Sequence, residues 1–209
     1  MSYKILGIEI ERKTDILAFA AFVISLGGLT AQVINFVKGS DVQLKTPSQI
    51  LISSKPKKQG HYTLMSAKLA YFNNGSPGYN DVTKSEDIYF TIGHQNIHLT
   101  AQNYIATEDK EGKLITTKIS DADPVQIKSG DLVVHETHFY PWPSKTKDKS
   151  KNFIQYSEFI RLLKKQPELI INFKIKTYKN KKFNFSCKLI TQDFIIPLEQ
   201  KGWSAPVCQ

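Results

Sequence analysis

The stretch LIINFKIKTYKNKKFNFSCKLI, residues 169–190, decides the fold. In its first half Leu169, Ile171, Phe173 and Ile175 alternate with Asn172, Lys174 and Lys176. In its second half Phe183, Phe185, Cys187 and Leu189 alternate with Asn184, Ser186 and Lys188. Side chains two apart share a face of a strand, so each half reads as a strand with one apolar and one polar side. The Lys179-Asn180-Lys181 step between them closes a hairpin.

Working upstream, the same alternation returns in short runs set apart by turn residues. Residues 62–73 read as a long strand that ends at the loop signal Asn73-Asn74-Gly75-Ser76-Pro77-Gly78. Residues 87–92 and 97–104 flank a Gly93-His94-Gln95-Asn96 turn and pair across it. Residues 114–119, 125–127 and 132–139 continue the series, with a turn at Ser129-Gly130-Asp131, and 42–53 hold one or two strands more. Roughly eight to ten strands at this spacing predict a mainly β fold, an antiparallel immunoglobulin-like β-sandwich. One helix is inserted: Ser157 caps it, Phe159, Leu162 and Leu163 form its buried stripe, and Pro167 stops it.

Ahead of this domain, residues 16–37 run 22 positions without a charge, ILAFAAFVISLGGLTAQVINFV, between Arg12, Lys13 and Asp15 on one side and Lys38 on the other. A helix of that length covers about 33 Å, enough for a hydrocarbon core of about 30 Å. The run is too long for the apolar part of a cleaved signal, and a cut after Ala31 would put bulky Leu29 where a small residue belongs. It also has no charged face, as a core helix of a small domain would have. The chain therefore divides into a tail over 1–13, a transmembrane helix over 14–38 and a β-sandwich over 39–209.

Within that helix Thr14, Ala18, Ala21, Ser25, Gly28, Gln32 and Asn35 recur at alternating steps of four and three, and all are small or polar. Such a seam fits a helix–helix contact, since small side chains let backbones approach and amides bond across the contact. Ala21, Ser25, Gly28, Gln32 and Asn35 are the expected packing interface, with a second copy or another membrane protein as partner and the bilayer as surroundings. Five cationic residues follow the helix within 20 positions against three before it. Large domains translocate with little regard to that difference, so the expected orientation has the N-terminus in the cytosol and the domain on the periplasmic side of the inner membrane.

The formal charge is +9, but the cationic residues are almost all Lys, with Arg only at Arg12 and Arg161. Base and phosphate recognition favours the planar fork of Arg, so no nucleic acid is expected as a partner. The segment SKTKDKSKN, residues 144–152, carries five charges in nine residues. Its Lys145, Lys147, Lys149 and Lys151 form a solvated loop, or alternatively a contact for lipid headgroups or an anionic polymer.

One constellation resembles a catalytic motif, His135-Glu136-Thr137-His138. On a strand, residues three apart point to opposite faces, so His135 and His138 diverge and cannot act as a zinc pair. Val133, His135, Thr137 and Phe139 are expected to face inward, His135 as a satisfied core histidine, while Glu136 and His138 share the other face. They would carry the chemistry if the chain were a tethered hydrolase or metal-dependent enzyme. His61, His94 and His98 read as solvated, and no nucleophile elbow or phosphate cradle is present, so neither cofactor nor metal is expected. Cys187 faces the core. In an oxidising compartment it would bond to Cys208 and pin the C-terminal segment. The resulting expectation is a membrane-anchored interaction or assembly subunit that works by contact and not by catalysis.

Overall fold

Every strand expected from alternation forms, and each pairs antiparallel. The structure, a computed structural model, describes residues 3–5, 8–10, 13–57, 60–111, 113–141 and 154–209, with side chains for 16–34, 36–37, 39–54, 62–111, 113–141 and 154–209. Strands β1 (Tyr3–Ile5) and β2 (Ile8–Ile10) pair with each other ahead of α1 (Lys13–Lys38). The domain then runs β3 (Val42–Lys45), β4 (Ile50–Lys57), β5 (Gly60–Asn73), β6 (Asp81–Ile92), β7 (Gln95–Lys110), β8 (Lys113–Asp121), β9 (Gln126–Ile127) and β10 (Leu132–Pro141). It closes with α2 (Tyr156–Leu163), β11 (Glu168–Thr177), β12 (Lys182–Ile190), α3 (Thr191–Lys201) and β13 (Trp203–Ser204).

The β11–β12 hairpin is as expected. Leu169, Ile171, Phe173, Ile175, Cys187 and Leu189 are buried, and Asn180 takes the left-handed conformation at the tip, with φ 63°. The sheet as a whole differs from two separate stacked layers, because its hydrogen bonds run unbroken through the order β12-β11-β6-β7-β10-β5-β4-β13. The reason is β7. Its first part pairs with β6 up to Thr100, and from Leu99 onward it pairs with β10. Where it changes partner, Gln102 is bulged out of the pairing, and a bulge sharpens the local twist and turns a corner. Two further bulges leave Lys84 unpaired in β6 and Ile119 unpaired in β8. The sheet curls so that the β5 and β10 half faces the β6 and β11 half, and Phe139 meets Phe173 edge-on across the core, with ring centroids 6.1 Å apart.

The bulges also explain why two strands are longer than their alternation indicated. In β6 the buried set is Glu86, Ile88, Phe90 and Ile92, but beyond Lys84 it shifts to Thr83 and Asp81. In β7 the inward face moves from Ile97 and Leu99 to Tyr104, and Ile105 is buried on the opposite face.

The inserted helix forms over the expected residues with two corrections. Gln155, in extended conformation, takes the N-cap position and Ser157 lies inside the helix. The fully buried stripe is Phe159, Ile160 and Leu163, while Leu162 lies over Gly93, where an added Cβ would stand 3.0 Å from its Cδ2. Helix α3 has no counterpart in the sequence reading, because Pro197 stands inside it and normally breaks such an element. Phe194 and Leu198, four apart, hold it to the core, and Gly202 ends it in the left-handed conformation, with φ 76°.

From Gly202 the chain runs back along the sheet. Trp203 and Ser204 pair with Ser53 and Ile52, and the Cys208 amide donates to Ser48 O at 2.9 Å. Gln209 exchanges backbone hydrogen bonds with Lys188 of β12, at 3.1 and 3.3 Å, and Cys208 is bonded to Cys187. The C-terminal segment thus joins the two ends of the strand order. Closing a loop of 21 residues removes chain entropy equivalent to about 3 kcal/mol. Cys208→Ser is therefore expected to lower the unfolding temperature by roughly 6–12 °C for a domain of this size. Thermal melts of the parent with and without reductant check this, and equal midpoints would mean that the backbone bonds alone hold the segment.

Candidate functional site

The centre of the curl holds a carboxylate. Glu86, on β6, is 3% exposed. Its Oε1 accepts the Tyr71 hydroxyl at 2.6 Å and lies 2.9 Å from His135 Nε2, and its Oε2 accepts the Thr137 hydroxyl at 2.8 Å. Tyr71 comes from β5 and His135 and Thr137 from β10, so this one side chain ties three strands together. The His135 ring is sandwiched between Tyr71 and Tyr104, at centroid distances of 5.4 and 4.2 Å. Burial, and after it the charge of Glu86, pushes the Tyr71 hydroxyl well above its ordinary range, and the same causes in the same order raise Tyr104. Both hydroxyls therefore stay protonated, and Tyr71 remains a donor to the carboxylate.

His135 faces inward as the alternation indicated, but it is not the satisfied core histidine expected, because only Nε2 is paired and its ring Nδ1 is buried without a hydrogen-bond partner. Val133, His135, Thr137 and Phe139 share the inner face, while Glu136 and His138 lie on the outer one, so the two histidines diverge. Glu136 Oε1 accepts the Thr107 hydroxyl at 2.8 Å, and the His138 ring packs on Tyr140 at 4.5 Å. Sequence reasoning missed Glu86 itself. It sits in the polar run Lys84-Ser85-Glu86-Asp87, just ahead of the 87–92 run read as the strand, and the signal that could have found it is its parity, which it shares with Ile88, Phe90 and Ile92.

His138 and Tyr140 border a cleft of about 570 Å³ between β4, β7, β8, β10 and the α3–β13 corner. Lys113, Lys118 and Lys201 line it, and among the described residues no acid does. Lys118 is engaged by Asp121 and Lys201 lies 5.8 Å from the Trp203 ring, so the cleft presents cations beside an aromatic face. That arrangement can hold an anion carrying a flat apolar part.

His98 is not simply solvated. It stacks on Tyr89 at 4.3 Å and its Nε2 lies 3.0 Å from Asp87 Oδ1, which also accepts the Thr100 hydroxyl. His94 is exposed at the hairpin turn as expected, and the side chain of His61 lies outside the described residues. Ala21, Ser25, Gly28 and Gln32 are exposed along α1, and nothing lies within 4 Å of a Cβ added at Gly28. The Asn35 side chain and the whole of Lys145, Lys147, Lys149 and Lys151 lie outside the described residues. The loop after Asn73 is no plain connection. Asn73 is fully buried, its Oδ1 accepting from the Asp41 and Gly75 amides and its Nδ2 donating to Tyr79 O and Ile127 O.

No protein-family model matches the chain, and no curated protein matches its sequence. Among solved structures it is similar to a Bordetella pertussis protein provisionally named ApaA, at 10% identity over 71% of this chain and 89% of that chain, with a TM-score of 0.30. It is likewise similar to SoR45, a Northeast Structural Genomics Consortium target, at 9% identity over 73% and 86%, with a TM-score of 0.32. Likeness at that level carries no argument about activity.

Two outcomes follow from the geometry. Glu86→Leu strands three polar partners in the core and is expected to cost on the order of 3–5 kcal/mol, whereas Tyr71→Phe removes a single charge-assisted bond, at about 1.5–3 kcal/mol. Urea unfolding of the two variants checks the ranking, and equal midpoints would remove Glu86 as the hub. For Asp87, burial acts to raise the carboxyl, but the hydrogen bonds from His98, Thr100 and Ser85 together with the His98 charge outweigh it and hold the carboxyl below its ordinary value. A lowered carboxyl contributes stability that is present above the unfolded value near 3.9 and is lost as pH falls through the folded value. Asp87→Asn should flatten that acid limb in a pH series of melts.

Proposed function

We propose that the chain is a single-pass membrane protein whose β domain acts by contact, as an interaction or assembly subunit without catalysis. The observation that carries this is α1. Its segment Ile16–Ile34 has a mean hydropathy of 2.0, and none of it is buried against the rest of the protein. A surface that apolar needs lipid or another helix to cover it. The seam Ala21, Ser25, Gly28 and Gln32 offers a close approach for a second copy or another membrane helix, continued in the sequence by Asn35.

The interior supports the non-catalytic reading, since both oxygens of Glu86 are occupied by Tyr71, His135 and Thr137, all of them in the core. The Cys187–Cys208 bond supports a domain outside the cytosol, because disulfides persist in oxidising compartments. Strand order supports the finer immunoglobulin-like reading. One half runs β4-β5-β10 and the other β7-β6-β11-β12, which follows the A-B-E and C-F-G arrangement, with β7 crossing between the halves. A second reading draws on the cationic cleft at Lys113 and Lys201, which fits an anionic ligand, with His138 in its lining and Glu136 on the same outer face of β10 should it carry out chemistry.

The test is association in detergent and in bilayers. Gly28→Leu with Gln32→Leu should weaken self-association or co-purification of a membrane partner at least tenfold, the equivalent of about 1.4 kcal/mol. Unchanged association, measured by crosslinking or sedimentation, would dismiss the seam.

A further inference from the structure

The end of the domain from which α1 departs carries lysines and tyrosines used by neither the core nor the cleft. Three turns meet there: residues 74–80 after β5, 128–131 ahead of β10, and the 178–181 tip of the β11–β12 hairpin. The Ser129 hydroxyl ties the first two together by donating to Gly75 O at 2.6 Å, and the Tyr178 amide ties the hairpin tip to the start of β6 by donating to Val82 O at 2.9 Å. The chain leaving the helix is tied to the same turns. The Ser76 amide donates to Gly39 O at 3.0 Å, the Asn74 amide to Asp41 O at 2.8 Å, and Lys181 Nζ to Asp41 Oδ1 and Val42 O, both at 2.8 Å. Gly75 has no room for a side chain, since a Cβ there would stand 2.5 Å from Gly39 O.

Depth follows from helix geometry. The 19 residues Ile16–Ile34 span about 28 Å, close to a hydrocarbon core of about 30 Å, and the headgroup layer adds about 5–7 Å on each side. Phe36 lies two residues beyond that span, at headgroup level, and its ring meets Tyr79 of the domain at 6.4 Å. A domain residue therefore sits at the same depth. Around it the charge is mostly of one sign. Lys84, Lys128, Lys179 and Lys182 are exposed, Asp131 is the exposed acid among them, and Asp41 is paired with Lys181. Asp81 is buried, its Oδ1 accepting from the Val82 and Lys179 amides. Lys179 lies 5.6 Å from the Tyr79 ring and Lys84 lies 5.8 Å from the ring of exposed Tyr178. Tyr rings and long Lys stems are the side chains that settle at a membrane–water boundary, the ring in the interfacial layer and the ammonium among phosphates.

On the reading of α1 as a membrane span, we propose that this end of the domain rests on the lipid surface. Lys84, Lys179 and Lys182 meet the phosphates of anionic phospholipid, and Tyr79 and Tyr178 lie in the interfacial layer.

The test uses the full chain in nanodiscs of phosphatidylcholine alone and of phosphatidylcholine with a quarter phosphatidylglycerol. Lysine acetylation is followed residue by residue by mass spectrometry. In the anionic discs Lys84, Lys179 and Lys182 should react about fivefold more slowly than in the neutral ones, while Lys113 and Lys201 of the cleft keep their rates. Equal rates for the three lysines in both discs would overturn the inference. Carbonate extraction of membranes from the same expression separates the two ideas: a chain that resists extraction but shows no protection sinks only the headgroup contact, and a released chain sinks the membrane span itself.

Discussion

A carboxylate sealed from water has to find its hydrogen-bond donors inside the protein, and Glu86 finds them on strands that are not its neighbours. In the strand order β6 and β5 are separated by β7 and β10. Laid flat at about 4.8 Å per strand, they would stand about 14 Å apart. A bond of 2.6 Å between Glu86 and Tyr71 therefore demands that the sheet fold over on itself. The bulge at Gln102 supplies the corner, and the aromatic contact of Phe139 with Phe173 fills the space that the fold encloses. The carboxylate also fixes register. A slip of one residue along β10 would turn His135 and Thr137 out and bring Glu136 and His138 in, leaving Glu86 facing the wrong partners.

Much of this was legible in the chain before any coordinates. The alternation in 169–190 and 132–139 is strict because those strands carry no bulge of their own, so period-two reasoning placed their inner faces and separated His135 from His138. It failed where the backbone inserts an extra residue. Lys84 and Gln102 each shift the parity of a strand, which concealed the inward turn of Thr83 and Asp81 and of Tyr104, while Glu86 was passed over because its polar neighbours read as the end of the strand. Helix α3 stayed hidden for another reason: Pro197 is tolerated in it because Phe194 and Leu198 are held by tertiary packing, which no local propensity records. The Asn73–Gly78 loop has the composition of any turn. Only the fold shows that the Asn73 amide satisfies four backbone groups at once.

The polar residues of the domain fall into two populations with different work. Those inside, centred on Glu86 and on Asn73, are consumed in specifying the curl and in seating the strand ends. Those outside are chiefly lysines, among them the ones of the cleft beside Trp203 and of the end from which α1 departs. The C-terminal segment separates these roles further. By pairing with β4 through β13 and with β12 through Gln209, it covers backbone groups that edge strands otherwise offer to other chains.

Gly75 has one more consequence. Because its missing side chain lets Gly39, Ser40 and Asp41 press directly onto the 74–80 turn, the connection behind α1 works as a welded collar and not as a swivel. Torque applied to the helix passes through Asn73 into β5, the strand that carries Tyr71. Whatever turns the helix also has a lever on the interior of the domain.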